Sequence, residues 1–336
     1  MKKTISLNSR KAGALVLVLA LGLASMSLAA EDTWTQKADM PTARFVPSSS
    51  VVDGKIYVFG GTPDGHICFP TVEEYDPATD TWTRKDDMPM ARGAPASSVV
   101  NGRIYVIGGG PYLYGAPYSS VIEYDTKTDT WIAKANMPTA RSWLSTSVVD
   151  GKIYAIGGAR DYKGTVLSRV EEYDPATDTW TRKADMPTAR TCLSTSAVNG
   201  KIYAIGGTLG SSQWYQGLST VEEYDPATDT WTKKADMPIP RTYISTCAVN
   251  DKIYAIGGIT GSFVTVVQND RNERYDPLED KTIPSAPSTS PSPPQDTSTP
   301  ETEREPFPTA LVAAVSVLIT AVVGAGLLVY FKKRKH

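Results

Sequence analysis

Residues 186–207 read MPTARTCLSTSAVNGKIYAIGG and, after a short gap, residues 221–231 read VEEYDPATDTW. Ser194 to Val198 alternates polar and apolar side chains, the period of a half-buried strand. Asn199-Gly200 supplies the two positive φ angles of a tight hairpin, and Lys201 to Ile205 returns as a second strand ending on Gly206-Gly207. Val221 to Tyr224 alternates again. Asp225-Pro226-Ala227-Thr228-Asp229 has turn chemistry with Pro at its second position, and Thr230-Trp231-Thr232 forms a fourth strand. The unit is one four-stranded antiparallel sheet.

That unit recurs along the chain. Trp34, Trp82, Trp131, Trp180 and Trp231 are separated by 48, 49, 49 and 51 residues, and glycine pairs begin in step at Gly60, Gly108, Gly157, Gly206 and Gly257. A period near fifty belongs to propeller blades. The double glycine, the Tyr and the Trp at fixed offset resemble the kelch repeat over residues 32 to 277. The resemblance implies an all-β, five-bladed kelch-type β-propeller of four-stranded blades packed face to face around a channel. The fifth unit ends Glu273-Arg274-Tyr275-Asp276-Pro277 with no Trp where one is due, whereas Asp32-Thr33-Trp34-Thr35 is an orphan outer strand. Pairing that N-terminal strand with the last unit closes the ring and hides two strand edges. The alternative is an open five-blade arc that assembles with another chain. Kelch rings more often have six or seven blades.

The propeller is expected over residues 31–281, and the flanks read as targeting and membrane segments. Lys2, Lys3, Arg10 and Lys11 precede the apolar run from Ala12 to Leu23, with small residues Ser27, Ala29 and Ala30 after it, the form of a signal peptide over residues 1–30. Residues 282–308 are rich in Pro, Ser, Thr and acids and read as an extended stalk. Residues 309–331 are uncharged and apolar, long enough as a helix to cross a bilayer of ~30 Å, and the basic tail 332–336 is expected to stay cytoplasmic. The expected location is the cell membrane, single-pass, with the propeller outside.

Charge and cysteine content narrow the partners. The chain has 34 basic and 36 acidic residues, but eight of the basic ones lie in the two acid-free terminal segments, leaving 26 against 36 on the exported part. Such a balance argues against nucleic acid. Cys68, Cys192 and Cys247 are an odd number, so free or buried thiols are expected.

Positions identical in every unit are assigned to the scaffold, and function is sought where the units differ. Arg44, Arg92, Arg141, Arg190 and Arg241 recur once per unit. They are read either as a ring for an acidic ligand or as partners of carboxylates such as Glu73, Glu123, Glu172, Glu223 and Glu273 that hold the blades together. The loops after the double glycine differ in length and carry Tyr112, Tyr114, Arg160, Tyr162, Trp214 and Tyr215. Two residues past each repeated Arg the chain varies as Val46, Ala94, Trp143, Cys192 and Tyr243. In kelch proteins these two sets lie on one face, so Trp143 and Tyr243 are expected beside the loop aromatics, on a surface for a protein or glycan ligand. Some kelch propellers are enzymes, among them a copper-radical sugar oxidase and a sialic acid epimerase. The exported part has only His66, which argues against a histidine-rich metal site or triad, so no cofactor and no catalysis are expected. A sugar-active enzyme of the epimerase type and a structural envelope component that self-associates remain the alternatives.

Overall fold

The computed structural model describes residues 35–111, 115–161, 165–210, 216–262, 265–268 and 272–277. The segments read from the sequence as signal peptide (1–30), stalk (282–308), membrane span (309–331) and basic tail (332–336), together with Tyr112, Tyr114, Tyr162, Trp214 and Tyr215, lie outside the described residues. Among the described residues no helix is long and apolar enough to cross a membrane.

Five sheets follow one another, over residues 48–85, 96–134, 145–182, 194–233 and 245–275. The first four are four-stranded antiparallel meanders in chain order. In the fourth, Ser194–Val198 pairs with Lys201–Ile205, which pairs with Val221–Asp225, which pairs with Thr230–Lys233. The hairpin residues Asn199 and Gly200 have φ of 50° and 72°, the turn that the Asn-Gly pair calls for. The fifth sheet has three strands, Ser245–Val249, Lys252–Ile256 and Asn272–Tyr275. The loop between its second and third strands carries a hairpin of its own, Ile259–Ser262 with Thr265–Gln268.

Apolar faces of successive blades bury each other in four clusters. Between the third and fourth blades Val149, Tyr154, Ile156 and Val170 pack on Ile202, Ala204 and Tyr224, with Trp231 against their edge. Each fully buried Ile or Val in such a seam contributes on the order of 1.5–3 kcal/mol. The outer edge of each seam is pinned by the Trp. The indole N–H donates to the carbonyl of the segment arriving from the preceding blade: Trp82 to Ala38, Trp131 to Asp86, Trp180 to Ala135 and Trp231 to Ala184, at 2.8–3.1 Å. Asp80, Asp129, Asp178 and Asp229 accept from the backbone N–H of those same residues and from the neighbouring Tyr hydroxyl. The repeated Asp of the turn is thus spent on holding blades together.

The fifth seam breaks the pattern. Val198 and Ile205 of the fourth blade are 5% and 1% exposed, but their counterparts Val249 and Ile256 in the fifth are 50% and 43% exposed, and Val51 on the first blade is 59% exposed. On the inner strands, hydroxyl pairs link neighbouring blades: Ser50 to Ser97, Ser98 to Thr146, Ser147 to Thr195 and Ser196 to Thr246. The fifth blade has an exposed Cys247 at the donor position. The described residues therefore do not make the closing contact expected from the sequence, and the strand expected to make it, around Trp34, lies outside them. At the corresponding place between the fourth and fifth blades is a cavity of about 150 Å³ lined by Ile205, Val221, Ala235, Met237, Ala255 and Tyr275.

Candidate binding site at the channel mouth

Each linking segment ends on a residue that breaks the backbone rule for L side chains. Val46, Ala94, Trp143, Cys192 and Tyr243 have φ between 50° and 57°. A left-handed non-glycine residue costs roughly 1–2 kcal/mol, and such strain tends to gather where ligands bind. Here one occurs per blade at equivalent positions. Hydrogen bonds link them in series: Ala94 N–H to Val46 O, Trp143 to Ala94, Cys192 to Trp143 and Tyr243 to Cys192, each at 3.0–3.1 Å. The strained turn satisfies the backbone and leaves the side chains around a common axis.

Those side chains and the residues after them line a bowl of about 310 Å³, whose walls are Val46, Ala94, Trp143, Cys192 and Tyr243 over a floor of Pro47, Pro95, Leu144, Leu193 and Ile244. The Trp143 and Tyr243 rings meet edge to face with centroids 5.5 Å apart. The sequence placed these two residues on one face beside the loop aromatics; their contact with each other across the bowl is a finding of the fold. Burial pushes the Cys192 thiol up to about 12, so it stays protonated and acts as an apolar wall. The floor was missed by sequence reasoning. Its signal was present as an apolar residue immediately after each variable position, but the same pattern describes any buried strand entry.

Arg160 is exposed at the loop rim, where its backbone N–H bonds Thr165 O. The loop residues Tyr112, Tyr114, Tyr162, Trp214 and Tyr215 lie outside the described residues, so the aromatic content of the rim rests on sequence.

The five repeated arginines are not at the surface. The side chains of Arg44, Arg92, Arg141, Arg190 and Arg241 are completely buried. Desolvation lowers the Arg92, Arg141 and Arg190 pKa values to about 10, which still leaves them charged at neutral pH. Their guanidinium groups bond backbone carbonyls and, in four blades, a carboxylate: Glu73, Glu171, Glu222 and Glu273. This is the blade-holding arrangement, not an open ring of cations. In the third and fourth blades the partner stands one residue before the Glu172 and Glu223 named from the sequence. Alternate strand residues face opposite sides, and Glu172 meets Lys152 and Lys183 instead. In the second blade the partner position is Ile122, and Glu123 lies near Arg103 and Lys134. Among the described residues no group of three or more metal-ligating side chains occurs.

A family model described as the Attractin/LZTR1 beta-propeller matches residues 23–270, most of the chain. The chain belongs to the kelch-repeat β-propeller family. Curated kelch relatives match over single repeats: mouse Kelch-like protein 1 is 48% identical over 44 residues, 13% of this chain and 6% of its own length. Human Kelch-like protein 5 is 51% identical over 41 residues, 12% of this chain and 5% of its own. This kelch chain thus spans a small fraction of those relatives. A solved structure titled "Structure of YjhT" superposes with a TM-score of 0.61 at 18% identity, covering 72% of this chain and 89% of that one, which speaks to fold alone.

Proposed function

We propose that this kelch propeller is a non-enzymatic binding module whose channel-mouth bowl and surrounding loops engage a protein or glycan at the cell surface. The observation that carries the reading is the ring of five left-handed residues that turns Trp143 and Tyr243 toward each other over an apolar floor. Rigid aromatics around a concave apolar centre suit the tip of a peptide loop, or the C–H face of a sugar. Among the described residues the bowl is lined by apolar and aromatic side chains with no Arg, Lys, Asp or Glu, a lining that suits a binding surface better than a polar catalytic pocket. The signal segment, the apolar run 309–331 and the basic tail support a single-pass anchor with the propeller outside. The test is binding of the full-length chain in detergent to arrays of glycans and cell-surface proteins. Trp143→Ala with Tyr243→Ala is expected to weaken the captured ligand at least 30-fold while the thermal midpoint stays within a few degrees, since two aromatic anchors are lost. Unchanged affinity in the folded double variant would remove the bowl from the interface.

Ring closure is part of the same reading. Ala38, Asp86, Ala135 and Ala184 each follow a Trp by four residues, and each docks on the outer strand of the next blade. By that spacing Trp34 belongs to the blade preceding the first, and the fifth blade has an indole-sized vacancy beside Ala235. We propose that Trp34 fills it, and that the strand pairing which puts it there brings the fifth blade against the first, where Val51, Val249 and Ile256 are exposed. Trp34→Ala is then expected to cost about 3–5 kcal/mol in urea unfolding, the range for a lost core aromatic. A loss under 1 kcal/mol would leave the arc open, and a midpoint that rises with protein concentration would assign the strand to a second copy.

A further inference from the structure

The repeat provides its own control for one buried charge. In the first, third and fourth blades a threonine hydroxyl (Thr42, Thr139 or Thr188) donates to one oxygen of a glutamate, and the other oxygen takes Nη2 of the buried arginine. The fifth blade keeps the Arg241–Glu273 pair. In the second blade both partners change together: Met90 stands for the threonine and Ile122 for the glutamate. Arg92 remains, and its side chain is as buried as the others.

What surrounds Arg92 does not neutralise it. Nη1 donates to Gly108 O at 2.8 Å and Ser120 O at 3.1 Å, Nη2 to Ser120 Oγ at 2.7 Å, and Nε has no acceptor. The Tyr118 ring lies 5.3 Å from the guanidinium carbon. Among the described residues no carboxylate pairs with it, and the loop from Gly110 to Ser120 contains no acidic residue at all. An isoleucine side chain ends one atom short of where glutamate oxygens reach, so the oxyanion position of the other blades has no counterpart here. Burying a charge without a counter-ion costs several kcal/mol, and any bound anion recovers part of that.

We propose that Arg92 is a site for one carboxylate-sized anion supplied from outside the chain, seated beside Ile122 where the glutamate oxygens stand in the other blades. Its source is a dissolved anion or an acidic side chain of a bound partner, and the site is independent of the bowl. The test is the thermal midpoint of the full-length chain in sodium formate against sodium gluconate at equal concentration, gluconate being too bulky for a buried site. The wild-type midpoint is expected to rise by about 3–6 °C per tenfold formate once the site is saturating. The rise should vanish in Ile122→Glu, which supplies the carboxylate internally, and in Arg92→Met, so either variant suffices if the other fails to fold. A blocked Gly-Gly-Glu-Gly-Gly peptide that competes with formate would identify a partner's side chain as the source, and formate binding alone a dissolved ion. Equal midpoints in formate and gluconate, or a formate effect that survives in the variants, would overturn the proposal.

Discussion

Replacing Glu222 by Ile is expected to destabilise the protein by about 3–5 kcal/mol, the cost of leaving a buried charge without its partner. Arg190 and Glu222 have side chains 0% and 4% exposed and meet at 2.7 Å. Removing the carboxylate leaves Nη2 with the Ala204 carbonyl and Nη1 with Gly206 and Thr220, three dipoles in place of an ion. The substitution copies into the fourth blade the residue that the second blade has at Ile122, but without its compensations. The fourth blade has Leu218 where the second has Tyr118, and no hydroxyl bond from Arg190 replaces the one that Ser120 accepts from Arg92. In the double variant Arg190→Met, Glu222→Ile, no charge is buried and Thr220 O keeps its bond from Gly206 N. About half of the lost stability is therefore expected to return. Urea midpoints of the single and double variants measure both terms. A single variant within 1 kcal/mol of wild type would mean that the carbonyl cradle alone carries the guanidinium.

Much of this architecture is legible from local chemistry because the repeat states it several times. Asn199-Gly200 and the alternation of Ser194 to Val198 dictate a hairpin whatever surrounds them, and the strands fall where that reading puts them. The Arg–Glu pairing is only half legible. Composition shows that arginine and glutamate recur together, but a one-residue choice between Glu171 and Glu172 depends on which face of the strand meets the neighbouring blade. The bowl was readable as variation at Trp143 and Tyr243, not as geometry. Positive φ at Val46, Ala94, Trp143, Cys192 and Tyr243 has no sequence signature, because none of these is Gly, Asn or Asp. The chain accepts the strain where five segments converge on one axis, and only the assembled ring shows that they do. The fifth seam is similar: the missing Trp after Tyr275 is visible in the sequence, but the exposure of Val249 and Ile256 among the described residues belongs to packing.

The second large effect separates two glycines six residues apart in the third blade. Gly151 sits in a hairpin at φ +73° with nothing within 4 Å of where a Cβ would stand, whereas at Gly157, φ +64°, an added Cβ would lie 2.6 Å from Arg190 O and 3.0 Å from a Leu193 methyl. Both substitutions to Ala incur the left-handed penalty of roughly 1–2 kcal/mol. Only Gly157→Ala also forces backbone apart. The atom it meets is the carbonyl of the buried arginine, and that carbonyl accepts the N–H of Gly158 at 3.0 Å. Arg190 cannot retreat without pulling its guanidinium from Glu222 and its neighbour Thr191 from the bridge to Thr208. The strain therefore reaches the seam between the third and fourth blades and the linking segment that ends at Cys192 in the bowl wall. Gly157→Ala is expected to cost at least about 3 kcal/mol and Gly151→Ala no more than about 2, measured as urea midpoints at equal slope. Equal losses at the two sites would mean that the blades slide apart cheaply, and the double glycine would then serve the turn rather than the close approach of two blades.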